Sequence, residues 1–206
     1  YSRPPQGDAR PLAVVDAAQR LLSLLRHDPR CPDVQLRLHG DQSLEALADE
    51  ARLDQILQNL VVNGCRAATQ APGEATVEIR VEADGERLAI EVQDTGPGVG
   101  ADVRPRLFEP FVTTAPAGEG TGLGLAICRG LVQSMDGELQ CLEPGARPPL
   151  HDGGLPGAVF RVTLRRPPSG SAAAAPAGPS PAAAEQNARA TPAVQAATDE
   201  ESDHAP

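Results

Sequence analysis

The chain has 206 residues, a formal net charge of −10, 40% hydrophobic residues and only 2% aromatic ones. That length allows one or two domains, and the acidic balance excludes a nucleic-acid surface, which needs clustered Lys and Arg against phosphates. With three Phe, one Tyr and no Trp, the core must be built from Leu, Val, Ile and Ala.

Cys31, Cys65, Cys128 and Cys141 are widely spaced, with no C-x-x-C pair and no histidine in a zinc pattern. The expectation is therefore four separate thiols in a reducing compartment, with neither a disulfide framework nor a metal site. No apolar run approaches the roughly 18 residues of a membrane helix, and no signal peptide opens the chain, so a cytoplasmic location is expected. The first residue is Tyr1 rather than Met, which suggests a piece of something longer.

In chain order, Pro11 followed by Leu12, Val15, Leu21, Leu22 and Leu25 predicts an amphipathic helix, with proline in its first turn and Asp28-Pro29 closing it. Val34, Leu36 and Leu38 alternate with polar residues, and Leu44 and Leu47 follow Gly40-Asp41, predicting two short strands or a strand and an edge. Asp49 then caps a long helix with Leu53, Ile56, Leu57, Leu60 and Val61 on one stripe, ended by Pro72-Gly73. Val77, Ile79 and Val81, a turn at Asp84-Gly85, and Leu88, Ile90 and Val92 form a hairpin pattern. Residues 95–121 carry no sustained period and much Gly, Pro and Thr, a length that suggests a functional lid. Leu123 to Met135 reads as a helix closed by Gly137 in the left-handed position. Two strands, Glu138–Leu142 and Ala158–Leu164, finish the pattern around a Pro/Gly loop. From residue 167 to 206, Ala, Pro, Ser and Gly dominate, too few apolar groups to offset ordering entropy, so a disordered tail is expected.

Chemistry concentrates between Asp94 and Leu125. Asp94-Thr95-Gly96-Pro97-Gly98 and Gly120-Thr121-Gly122-Leu123-Gly124-Leu125 bracket Leu107-Phe108-Glu109-Pro110-Phe111. Glycine lets backbone N–H groups approach phosphate oxygens, and a glycine turn leading into a helix adds the positive end of the helix dipole. On the preceding helix, Asn59, Asn63 and Arg66 share one flank at 100° per residue. Two amide oxygens and a guanidinium suit a magnesium triphosphate, the oxygens for the hard cation and Arg for phosphate.

Asn59-Leu60-Val61-Val62-Asn63 and the three motifs just quoted resemble, in order, the N, G1, F and G2 boxes of sensor histidine kinases, over residues from about 10 to 166. The resemblance implies an α+β fold, the GHKL or Bergerat α/β sandwich: a mixed sheet covered on one face by helices, with ATP under a flexible lid. It implies a linker over residues 1–10, left from an absent dimerisation domain, and a histidine-kinase-like ATPase domain over 11–166. By position, Asn63 resembles the magnesium ligand, Asn59 its partner one turn earlier, and Arg66 the phosphate-contacting base. Asp94 resembles the carboxylate that accepts from the adenine amino group, with Gly96 and Gly98 admitting the base. Thr113, Thr114, Gly120, Thr121, Gly122, Leu123, Gly124 and Leu125 fall where the family holds nucleotide, while Phe108 and Phe111 are expected to pack the lid on the domain.

Related ATPases carry Glu four residues before the magnesium Asn, as base for water; here that residue is Asn59, an amide without useful basicity. Transfer of the ATP γ-phosphoryl group to a histidine is the implied reaction, with ATP and Mg²⁺ required. His27, His39, His151 and His204 lie in none of the settings such kinases phosphorylate, so the acceptor is expected on the absent dimerisation domain. A response regulator receiver domain is then the next partner, dimerisation runs only through the absent region, and the location is cytoplasmic or the cytoplasmic portion of a membrane-bound sensor. Two departures stand out: Phe111-Val112-Thr113-Thr114 resembles the nitrogen-regulation and dicarboxylate-sensor branch, yet Ala115 replaces its usual lysine, and Gly64 replaces the usual alanine. The alternatives are a degenerate ATP-bound regulatory scaffold and a GHKL ATPase.

Overall fold

The computed structural model describes residues 9–113, 120–148, 150 and 157–168. The first element is not the expected helical turn but a strand, β1 (Arg10–Ala13), which pairs antiparallel with β3 (Glu45–Ala48), Pro11 opposite Leu47. Proline is tolerated in such a two-stranded edge ribbon because a missing N–H leaves no central ladder broken. Helix α1 (Val14–Leu25) follows and buries Val14, Val15, Ala18, Leu21, Leu22 and Leu25.

A five-stranded sheet forms the other layer. Strands β2 (Gln35–His39), β4 (Thr76–Asp84), β5 (Arg87–Asp94), β6 (Glu138–Cys141) and β7 (Val159–Arg165) take the order β2-β4-β5-β7-β6. Only β2 and β4 run parallel, because the crossover between them carries α2 (Glu50–Ala68), the long link that a parallel pair requires. The sheet is therefore mixed. The β4–β5 hairpin closes through Gly85 and Glu86, with Asp84 opposite Arg87 and Gly85 at φ 60°.

Alternation aims Ile79, Val81, Ile90, Val92, Val162 and Leu164 at the helices, where they join Leu53, Ile56, Leu57, Leu60 and Val61 of α2 in one core. Helix α3 (Gly124–Ser134) adds Cys128 and Val132. The expected left-handed residue after α3 is not Gly137 but Asp136, φ 58°. Asp136 N–H donates to the Gln133 carbonyl and Gly137 N–H to that of Val132, so the cap residue sits one position earlier. Gly137 is needed for space: a Cβ there would lie 2.5 Å from the Thr163 carbonyl oxygen.

The face away from the helices is polar and covered. Glu91 is 4% exposed and receives Arg161 Nε at 2.8 Å and Arg147 Nε at 2.6 Å, while Gln93 Nε2 donates to the Pro148 carbonyl at 2.8 Å. Arg147 and Pro148 belong to the β6–β7 connection, and these bonds hold the two residues against the sheet.

The cysteines depart from the sequence reading. Cys31, in the α1–β2 connection, and Cys65, in α2, form a disulfide across 34 residues, their Cα atoms 5.1 Å apart. Folding brings together residues that no local spacing pattern could pair. Cys128 and Cys141 are free thiols. From residue 169 onward the expected tail lies outside the described residues.

Candidate nucleotide-binding site

Helix α2 begins as the sequence requires: the Asp49 side chain accepts from the Arg52 N–H at 3.0 Å, satisfying an otherwise unpaired donor of the first turn. Its apolar stripe is buried in the core, which turns the flank bearing Asn59, Asn63 and Arg66 outward. Asn59 is half-buried, whereas Asn63 and Arg66 are exposed. Arg66 makes no ion pair among the described residues.

One turn of α2 meets each glycine motif. A Cβ on Gly64 would lie 3.5 Å from Asp94 Cβ, and one on Gly96 would meet the Ala67 backbone at 2.7 Å. The Asn63 amide nitrogen is 3.8 Å from the Cβ position of Gly124, the first residue of α3. The motifs at residues 94–98 and 120–125 thus flank residues 63–67, and a side chain larger than hydrogen at Gly96 would push its motif away from α2.

Asp94 ends β5 and is 3% exposed. Its Oδ1 accepts from the Gly96 N–H at 2.8 Å and from the Ala158 N–H at 3.3 Å, and Oδ2 accepts no hydrogen bond among the described residues. Burial pushes the carboxyl up to about 6, against the opposing effect of those two N–H groups. Gly157, φ 62°, packs against the Asp94 carbonyl so closely that no Cβ fits. Sequence reasoning missed Gly157 and Ala158, whose only signal was a Gly/Pro-rich loop 63 residues away along the chain.

On the phosphate side, the Phe111 N–H donates to the Gly122 carbonyl at 2.9 Å, and both residues have positive φ, 68° and 65°. A Cβ at Gly122 would strike the Phe111 backbone, so glycine there is dictated by a close approach of two chain segments. The Leu123 N–H donates to Thr121 Oγ1 at 3.3 Å just before α3. The first-turn N–H groups of α3 lack intrahelical partners, and the helix starts at Gly124, beside Asn63.

The two phenylalanines part company. Phe108 packs on the core edge with the Arg129 guanidinium 5.8 Å from its ring centre, but Phe111 is 76% exposed. The expectation that both pack the lid holds for Phe108 alone, because the backbone pairing of Phe111 with Gly122 turns its side chain to solvent. Thr113 is exposed, and Thr114 lies outside the described residues. Cys128, unremarked as a neighbour of the site, is buried beneath it: its thiol lies 3.8 Å from the Ile56 carbonyl and shares a hydrogen bond with Asn59, and burial pushes it up to about 11.

The donor set is suited to a cation only together with phosphate. Among the described residues no three His, Cys, Asp or Glu side chains cluster to hold a metal, whereas the exposed Asn63 amide offers a hard oxygen beside the α3 terminus. Nor is any helix of the described residues long and apolar enough to cross a membrane.

Residues 48–168 match the family model described as histidine kinase-, DNA gyrase B-, and HSP90-like ATPase. The C4-dicarboxylate transport sensor protein DctB of Rhizobium meliloti (strain 1021) is 33% identical over 160 residues, covering 77% of this chain and 24% of that protein. The mycobacterial sensor histidine kinase MprB superposes with a TM-score of 0.60 at 26% identity, over 77% of this chain and 99% of that one. Full-length ShkA in complex with AMPPNP superposes with a TM-score of 0.60 at 30% identity, over 77% of this chain and 31% of that one. The chain spans about a quarter of the length of the first curated relatives it matches.

Proposed function

The chain belongs to the histidine kinase-, DNA gyrase B- and HSP90-like ATPase family, and on that premise we propose that it is the ATP-binding catalytic domain of a two-component sensor histidine kinase. The observation that carries this reading is the single turn of α2 that meets Asp94 through Gly64, Gly96 through Ala67 and Gly124 through Asn63. Base recognition and phosphate binding then share one rigid support.

In this reading Asp94 Oδ2 accepts from the adenine amino group, a contact that guanine, with a carbonyl there, cannot make. Gly96 and Gly98 leave room for the base. The triphosphate lies at the N-terminus of α3, where Gly120 to Leu125 present backbone N–H groups and Arg66 reaches a phosphate oxygen. The Asn63 amide oxygen would hold Mg²⁺, assisted by Asn59. When bound with ATP, the cation neutralises charge on the phosphates.

Asn59 decides the acceptor. Its amide cannot take a proton from water, so hydrolysis is disfavoured, and a neutral imidazole needs no such base. The γ-phosphoryl group passes to a histidine of a dimerisation domain, through which the kinase forms a homodimer, and then to a response regulator receiver domain, all on the cytoplasmic side.

Labelled ATP mixed with this chain and a dimerisation-domain fragment of a related kinase tests the proposal. The expected product is a base-stable, acid-labile phosphoprotein; tight nucleotide binding with no such product would contradict the kinase reading.

A further inference from the structure

The Cys31–Cys65 disulfide joins the α1–β2 connection to the very turn of α2 on which the candidate site rests. Cys65 stands between Gly64 and Arg66 and two residues after Asn63, and it is fully buried. Gly64 makes this the least helix-favouring turn of α2, since glycine adds backbone freedom and no side-chain packing. Its bare Cα also lets the helix approach Val77 and Asp94 closely. A turn that is weak by itself and close to both ends of the site is thus tied from outside to residue 31.

The two sulfurs differ in access. Cys31 is 5% exposed and lies among the exposed residues Pro29, Arg30, Pro32 and Asp33. A cleft of about 430 Å³ lined by Pro32, Asp33, Ala68 and Glu74, among others, opens beside the residues that follow Cys31, at the C-terminal end of α2. A small thiol therefore reaches Cys31 first. The other two cysteines stand apart as free thiols, Cys128 fully buried and Cys141 half-buried on β6.

We propose that Cys31 and Cys65 form a reversible thiol–disulfide site whose oxidised form holds the Asn63–Arg66 turn in its nucleotide-binding geometry and whose reduction loosens nucleotide binding. This rests on the nucleotide-site reading above. In reduction, the thiolate of a low-molecular-weight thiol attacks Cys31 Sγ, the Cys31–Cys65 bond breaks, and Cys65 leaves as a thiolate that takes a proton from water. A second thiol attacks the mixed disulfide and frees Cys31, so two small thiols become one small disulfide and one protein disulfide becomes two cysteines. Oxidation is the reverse exchange with a low-molecular-weight disulfide.

The full chain is equilibrated with oxidised or reduced glutathione, alkylated with iodoacetamide and mapped by mass, and parallel samples are titrated with trinitrophenyl-ATP. Expected are alkylation of Cys31 and Cys65 only after reduction, and affinity at least about fivefold tighter in the oxidised protein, the lower end for coupled sites. Cys31→Ser, at a position near the surface, should bind like the reduced protein in either buffer. Hydrogen exchange over residues 60–69 reads the tie without nucleotide and should slow on oxidation. Alkylation of both cysteines after equilibration with oxidised glutathione overturns the proposal, as does equal affinity together with equal exchange. If neither form binds nucleotide, the site reading has failed instead, and exchange alone decides: a redox difference upholds the tie and none overturns it.

Discussion

Asp94 opposes folding through the same carboxyl that is proposed to receive the adenine amino group. Its folded value of about 6 lies above the ordinary 3.8, so the folded state holds the proton more tightly than the unfolded chain. Stability from that proton is fully present below pH 4 and is lost as the pH rises to about 6, leaving a cost of about 3 kcal/mol above it. Asp94→Asn keeps an oxygen for the Gly96 and Ala158 N–H groups and removes the buried charge. Thermal melts should show this variant more stable than the parent at pH 7.5, with the gap closing by pH 4.5. Adenine nucleotide binding should move the opposite way. Calorimetry is expected to show affinity for ATP rising as pH passes through about 6, while Asp94→Asn, whose amide meets the adenine amino group donor to donor, loses at least about tenfold. The motif around Asp94 made its chemistry readable in the sequence. Its burial and the Ala158 N–H on Oδ1 were not, because Gly157 and Ala158, just before β7, lie far along the chain.

Among the elements, α2 was the most legible, since its apolar stripe, its Asp49 cap and its polar flank are all local periodicities. Gly64 shows where local reasoning stops. As a helix residue it costs about 1 kcal/mol relative to alanine, yet a Cβ there would lie 3.2 Å from Val77 Cγ2. Helix gain and sheet crowding therefore oppose each other. Val77→Ala opens the space that Gly64→Ala fills, so the double variant should be more stable than the two single effects added together, by about 0.5 kcal/mol or more in denaturant titrations. Residues 95–121 behave similarly: their length suggests a functional lid, but the Phe111–Gly122 pairing that exposes Phe111 is a contact between segments. Gly122→Ala forces a Cβ into the Phe111 backbone and should weaken trinitrophenyl-ATP binding while leaving the far-ultraviolet circular dichroism unchanged. Pro11 was misassigned because a helix N-terminus and an edge strand tolerate proline equally well, and only pairing with β3 separates them.

At the scale of the whole molecule, the sheet needs both faces closed. The helices cover one, and on the other Arg147, from the described part of the β6–β7 connection, and Arg161 of β7 pair with Glu91. Burial acts to raise the Glu91 carboxyl, but the two guanidiniums prevail and hold it below its ordinary value. A lowered carboxyl contributes stability above its unfolded value near 4.5 and loses it as the pH falls further, the reverse of Asp94. Arg147→Ala leaves Glu91 one partner and should cost about 1–3 kcal/mol in chemical denaturation. Hydrogen exchange in residues 143–148 should rise, with ATP affinity unaltered because the network lies on the face away from α2. The order of four short motifs, each a local match between residue type and backbone need, was enough to determine the family and its fold. Only the tertiary structure decided that Cys31 meets Cys65, that Asp94 is desolvated, and that Arg147 crosses the sheet. Each of these joins residues distant in the chain, and no local spacing or propensity encodes which distant residue will arrive.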